Sequence, residues 1–124
     1  MPPRQEDAPA RNELAASISN VVVKLTSEYT GRGPTMARTY INDDLITVVL
    51  RDTLTKGEQS LVRDGKEDVV MTMRLQFQVS MRRDLVSAIE QLTGRKVLAF
   101  LSSNHMQPDI AIESFVMERD SDGH

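Results

Sequence analysis

The sequence predicts an α+β domain made of a duplicated helix-strand-strand unit, and three observations predict it. Residues Glu28 to Arg51 read E-Y-T-G-R-G-P-T-M-A-R-T-Y-I-N-D-D-L-I-T-V-V-L-R. A looser copy follows near the C-terminus, E-Q-L-T-G-R-K-V-L-A-F-L, then a polar break, then D-I-A-I-E-S-F-V-M-E-R. Each copy passes from a helix end through Thr-Gly-Arg into an apolar strand, a polar reversal carrying an Asp, and a second apolar strand. Between the copies, apolar residues recur every three or four positions from Val69 to Leu92, the period of one long amphipathic helix.

At 124 residues the chain fits one compact domain. Aromatics supply only 4% of it and seven Met residues share in filling the interior, so the core is expected to be aliphatic and adaptable. A formal net charge of −3 gives no global basic field for a polyanion, so nucleic acid is not an expected partner. There are no cysteines, which removes disulfides and thiolate chemistry and suits a reducing cytoplasm. No apolar run approaches the roughly 20 residues that span a bilayer, and the N-terminus lacks a signal peptide's apolar segment. A cytoplasmic protein without membrane insertion is expected.

Residues 1–11, with three prolines and alternating charges, are predicted to be a disordered arm, residues 12–118 a single α+β domain, and residues 119–124 a frayed tail. From about Asn12 a first helix presents Leu14, Ile18, Val21 or Val22, Leu25 and Tyr29 on one face. It ends at Gly31, which can adopt the left-handed conformation, and Pro34 blocks its resumption. Met36–Ile41 and Leu45–Leu50 read as strands joined by the turn residues Asn42-Asp43-Asp44. Thr55, three residues before Glu58, forms a capping-box pattern and opens a short helix. The long helix then runs to Gly94. Lys96–Leu101 is the third strand, Ser102–Pro108 a longer reversal and Ile110–Met117 the fourth strand.

Four strands in a mainly antiparallel sheet, with helices on one face, leave the other face to explain. The strands are apolar on both sides, so Leu45, Val49, Phe115 and Met117, or their alternates, are expected to form an exposed interaction patch. A homodimer or higher oligomer through the sheet or the long helix follows. Helices divided between both faces of a monomer are the alternative.

Chemistry has three candidate locations. Arg32 and Gly33, within Gly31–Pro34, could join Arg38 in holding an anionic ligand, although the loop follows a helix where phosphate loops precede one. Its default role is to end a helix. Ser102, Ser103, His105 and Asp109 fall in one reversal, but a single loop rarely supplies the opposed geometry of a nucleophile, base and orienting acid. Turn formation is the default there, no catalytic residue is assigned, and one internal histidine gives no metal site. Arg74, Arg82 and Arg83 alternate with Glu67, Asp68, Asp84 and Glu90, the pattern of a solvated, ion-paired helix face. No cofactor is expected.

The ordered series G-R-G-P-T-M-A-R-T-Y-I-N-D-D-L, L-T-x-x-E, L-T-G-R-K-V-x-A-F-L-S-S-N-H and P-D-I-A-I-E-S-F-V resembles the MpsC-like family of small bacterial proteins, over about Asn12 to Glu118. Positions typical of that family are Gly31, Arg32, Gly33, Pro34, Arg38, Thr55, Glu58, Gly94, Arg95, His105 and Asp109. Ser103-Asn104 stands before His105 where the family pattern carries an acidic residue. The resemblance implies a part in a sodium-translocating, membrane-potential-generating system, and it brings no catalytic residue. Lacking a membrane span, the chain would serve such a system as a non-enzymatic interaction or regulatory protein, partnering a membrane complex.

Overall fold

The computed structural model describes residues 7–119. In chain order these form α1 (Asp7–Thr30), β1 (Met36–Asn42), β2 (Leu45–Arg51), α2 (Lys56–Arg63), α3 (Glu67–Thr93), β3 (Val97–His105) and β4 (Ile110–Met117). The four strands make one wholly antiparallel sheet in the order β1-β2-β4-β3. Each hairpin supplies its second strand to the centre.

The duplication is visible in side-chain detail. At the end of α1, Thr30 Oγ1 donates to the Thr26 carbonyl and accepts from the Arg32 amide, while Gly31 takes φ +80°. At the end of α3, Thr93 Oγ1 donates to the Ile89 carbonyl and accepts from the Arg95 amide, with Gly94 at φ +69°. Glycine suits both sites because a Cβ is costly in that left-handed conformation. Each arginine then reaches the far end of its own hairpin: Arg32 Nε donates to the Asp52 carbonyl at 3.0 Å, and Arg95 Nε to the Glu118 carbonyl at 3.2 Å. Thr-Gly-Arg is thus a helix stop combined with a hairpin clamp, made twice.

Two elements differ from the sequence reading. α1 starts at Asp7, so residues 7–11 of the expected arm are helical; Pro9 sits in the first turn, where a missing amide hydrogen costs no helix bond. The rest of the arm and residues 120–124 lie outside the described residues. β3 continues to His105, so Ser102 to His105 belong to a strand paired with Glu113 to Ile110, and the reversal shrinks to four residues, Met106 to Asp109. Ser102, Ser103 and Asn104 lack the apolar character of the earlier β3 residues, yet the backbone ladder to β4 holds them.

α1 and α3 lie side by side on one face of the sheet, tied by a Tyr29 hydroxyl to Asp84 carboxylate bond of 2.6 Å. Ile18 and Val22 of α1 and Met81, Leu85 and Ile89 of α3 pack with Ile46, Val48, Leu50, Ala111, Phe115 and Met117. Phe100 and Phe115, partners in register, add a tilted ring pair with centroids 5.1 Å apart. A smaller cluster of Leu54, Val62, Val70 and Met106 seats α2 and the β3–β4 turn on the start of α3.

Register decides which apolar side is covered. Antiparallel partners share a face, and Ile46 opposes Phe115 while Val48 opposes Glu113. Phe115 and Met117, at 0% and 1% exposure, therefore belong to the helix-covered core and not to an interaction patch. The patch expected there is corrected to the other parity: Leu45 and Val49 with Ile112 and Val116.

Candidate functional site

The uncovered face of the sheet carries Met36, Arg38 and Tyr40 from β1, Leu45, Thr47, Val49 and Arg51 from β2, Ile112, Ser114 and Val116 from β4, and Leu101 from β3. Met36 is 62% exposed and Leu101 57%, and Tyr40, Leu45 and Ile112 are also exposed, with Val49 half-buried among them. Thr47 and Ser114 bridge the two central strands through their hydroxyls at 3.3 Å. Strand side chains on this face include Arg38 and Arg51 and no carboxylate. Apolar side chains exposed on four adjacent strands are costly to hydrate.

Sequence-predicted ligand residues are not gathered. Arg32 is committed to the Asp52 carbonyl, beside the helix stop, whereas the Arg38 guanidinium lies 5.3 Å from the Tyr40 ring centroid on the uncovered face. A Cβ on Gly33 would meet Ser27 and Val23 of α1 at ordinary contact distance, so that glycine faces the helix. His105 is exposed and its Nδ1 is 2.8 Å from the Pro108 carbonyl. Asp109 turns away from it: Oδ1 accepts from the Thr53 hydroxyl and Oδ2 from the Leu54 amide, both at 2.8 Å. These bonds latch the second hairpin turn to the end of the first hairpin.

The concentrated chemistry lies elsewhere, between the helices and the sheet. The expected capping box is present, with Thr55 Oγ1 accepting from the Glu58 amide and Glu58 Oε1 accepting from the Thr55 amide. Glu58 also binds Arg74, which is 5% exposed and so departs from the solvated face expected of it. Arg74 Nε donates to Glu58 Oε2 at 2.9 Å and Nη2 to Oε1 at 2.8 Å, while Nη1 and Nη2 reach the Thr53 hydroxyl and carbonyl. Burial works against the Glu58 charge, but the Arg74 guanidinium and the Thr55 contacts prevail and hold its carboxyl below the ordinary range.

Beyond Arg74 stands Glu113, the partner of Val48 in mid-sheet and 5% exposed. Its Oε1 accepts a hydrogen bond from Ser102 Oγ, and its buried Oε2 has no hydrogen-bond partner among the described residues. Burial pushes the carboxyl up to about 7, against the opposing pull of the Ser102 bond and the Arg74 charge. Glu113 lines a cavity of about 30 Å³ with Thr26, Thr53, Arg74, Gln78 and Asn104, enough for about two water molecules.

Sequence reasoning missed this group for identifiable reasons. Arg74 is in phase with Val70, Phe77 and Met81 on the buried stripe of α3, a signal that outranks its acidic neighbours in sequence. Glu113 is in phase with Ala111, Phe115 and Met117, and its burial becomes readable once that parity is known to face the helices.

The profile of the family described as "Na+-translocating membrane potential-generating system (MpsC)" matches residues 10–119. Uncharacterized protein YrhF of Bacillus subtilis (strain 168) is 26% identical over 107 residues, covering 85% of this chain and 88% of that one. No solved structure matches. No helix among the described residues is long and apolar enough to cross a membrane. With nearly the whole helix-sheet domain inside the matched span, the chain belongs to the MpsC family.

Proposed function

We propose that this protein works by association and not by catalysis: the uncovered sheet face docks on a second copy of the chain. The resulting dimer serves, from the cytoplasm, as a partner of the membrane system named in the family's description. One observation carries this reading, the exposure of Met36, Tyr40, Leu45, Ile112 and Leu101 together on a face without a covering helix. Face-to-face sheet packing with a spacing of about 10 Å would remove that surface from water. The Thr47–Ser114 pair and the half-buried Val49 lie near its centre.

The test is Val49→Asp, which places an unpaired carboxylate in the centre of the docked face while leaving the helix-covered core intact. The variant should keep its secondary structure, lose self-association and be recovered less well with membranes. Unchanged mass and unchanged recovery would contradict the reading. An anion site built from Arg32, Gly33 and Arg38 gains no support, because Arg32 is engaged by Asp52 and Arg38 lies by Tyr40.

A further inference from the structure

We propose that the open edge of β3, with the groove between it and α3, is a docking site for an extended acidic peptide segment of another protein, which joins the sheet as a fifth strand. The site uses an edge of the sheet and not its uncovered face, so it goes beyond the docking reading and does not depend on it.

In the order β1-β2-β4-β3, β3 has β4 on one side and no strand of the described residues on the other. It runs for nine residues, and V-L-A-F-L-S-S-N-H holds no proline, lysine, arginine, aspartate or glutamate. Edge strands are ordinarily blunted by such residues, because a row of unpaired amides and carbonyls is a template for another strand. β1, the opposite edge, carries Arg38 in mid-strand. Only the start of β3 departs from regular pairing, at the shift between Val97 and Ala99, and there the Val97 amide donates to the Glu90 carboxylate at 2.9 Å. From Ala99 to His105 the register with β4 is unbroken, which leaves a regular edge for an incoming strand.

Beside this edge, a groove of about 160 Å³ between α3 and β3 is lined by Leu75, Gln78, Val79, Arg82, Phe100 and Ser102. Leu75, Val79, Arg82 and Val86 recur at spacings of four, three and four, so they form one stripe of α3. Leu75 is 56% exposed and Val79 73%. A second hollow of about 440 Å³ shares Val79 and Arg82 and continues along α3 to Arg83, Val86 and Glu90. The arginines decide the occupant. Arg82 and Arg83 are exposed, and neither guanidinium has a hydrogen-bond or ion-pair partner among the described residues. Glu90, the carboxylate beside them, is already bonded to Val97. An extended strand laid along β3 turns alternate side chains into this groove, so apolar residues meet Leu75 and Val79 and an acidic one meets Arg82. The β3 of a second copy is a poor fit, because it brings no carboxylate.

The probe is a capped nine-residue synthetic peptide with Thr at odd positions and Val, Val, Glu and Val at even ones, beside the same peptide with Lys in place of Glu. Titrated into the full chain, the acidic peptide should slow hydrogen exchange at the outward-pointing amides of β3. Arg82→Glu changes an exposed side chain outside the core; it should weaken binding of the acidic peptide about tenfold and take up the lysine version instead. Val49→Asp should bind the acidic peptide as the wild type does, so failure of this site and failure of the docking reading are told apart. Unchanged β3 exchange with the acidic peptide, or equal binding of that peptide by Arg82→Glu, would overturn the proposal. Protection of the β3 edge that grows with protein concentration in the absence of peptide would assign the edge to a second copy and overturn it as well.

Discussion

Arg74 and Glu58 show what a single buried charge demands. Removing one member of such a pair leaves the other uncompensated, so Arg74→Met should cost about 3–5 kcal/mol in urea unfolding. Arg74→Met combined with Glu58→Leu should recover part of that loss, because neither member of the pair is left without the other, while the Thr55 capping box is lost with Glu58. Glu113 makes a prediction of opposite kind. Its folded carboxyl sits at about 7, above the ordinary value of 4.5. A raised acid binds its proton more tightly when folded, so its destabilising effect is absent below 4.5, grows as pH rises, and is complete above 7. Wild-type stability should fall by up to about 3 kcal/mol across that interval relative to Glu113→Gln, whose profile should be flatter there. At this scale the sequence is legible where partners are close in the chain: Thr55 and Glu58 form the expected capping box three residues apart. It is opaque where partners are distant, since nothing local joins Arg74 to Glu58 or Glu113 to Ser102.

Elements were the most readable level, because their signals are local. The glycine stops, the Asp43-Asp44 reversal and the long helix follow directly from periodicity and turn chemistry. The Thr-Gly-Arg repeat is also legible as punctuation, but its second role, the arginine reaching across its hairpin, appears only in three dimensions. Gly94→Ala should destabilise by about 1–2 kcal/mol through the left-handed backbone alone, since a Cβ there meets nothing within 4 Å. Arg95→Ala should act differently. It removes donors from the Glu118 and Asp43 carbonyls, so faster amide exchange at the β1–β2 turn and the end of β4 should accompany its loss of stability. The sequence places the end of β3 at Leu101 and the structure at His105, because Ser102, Ser103 and Asn104 resemble a loop in composition. Their pairing with Glu113, Ile112 and Ala111 is a tertiary effect that overrides composition.

For the whole molecule, the sequence announces excess apolar strand surface without saying which parity the helices take. Leu45 and Val49 fall on the open side and Phe115 and Met117 on the closed one, a distinction set by the β2–β4 register and invisible in either strand alone. Once the helices cover Ile46, Val48 and Phe115, the opposite face remains for a partner. The most direct measurement is the molar mass of the purified full chain by light scattering, beside Val49→Asp. The account predicts a mass about twice the 13.9 kDa of one chain for the wild type and close to that single-chain value for the variant. A wild-type chain that stays monomeric at every concentration would contradict it.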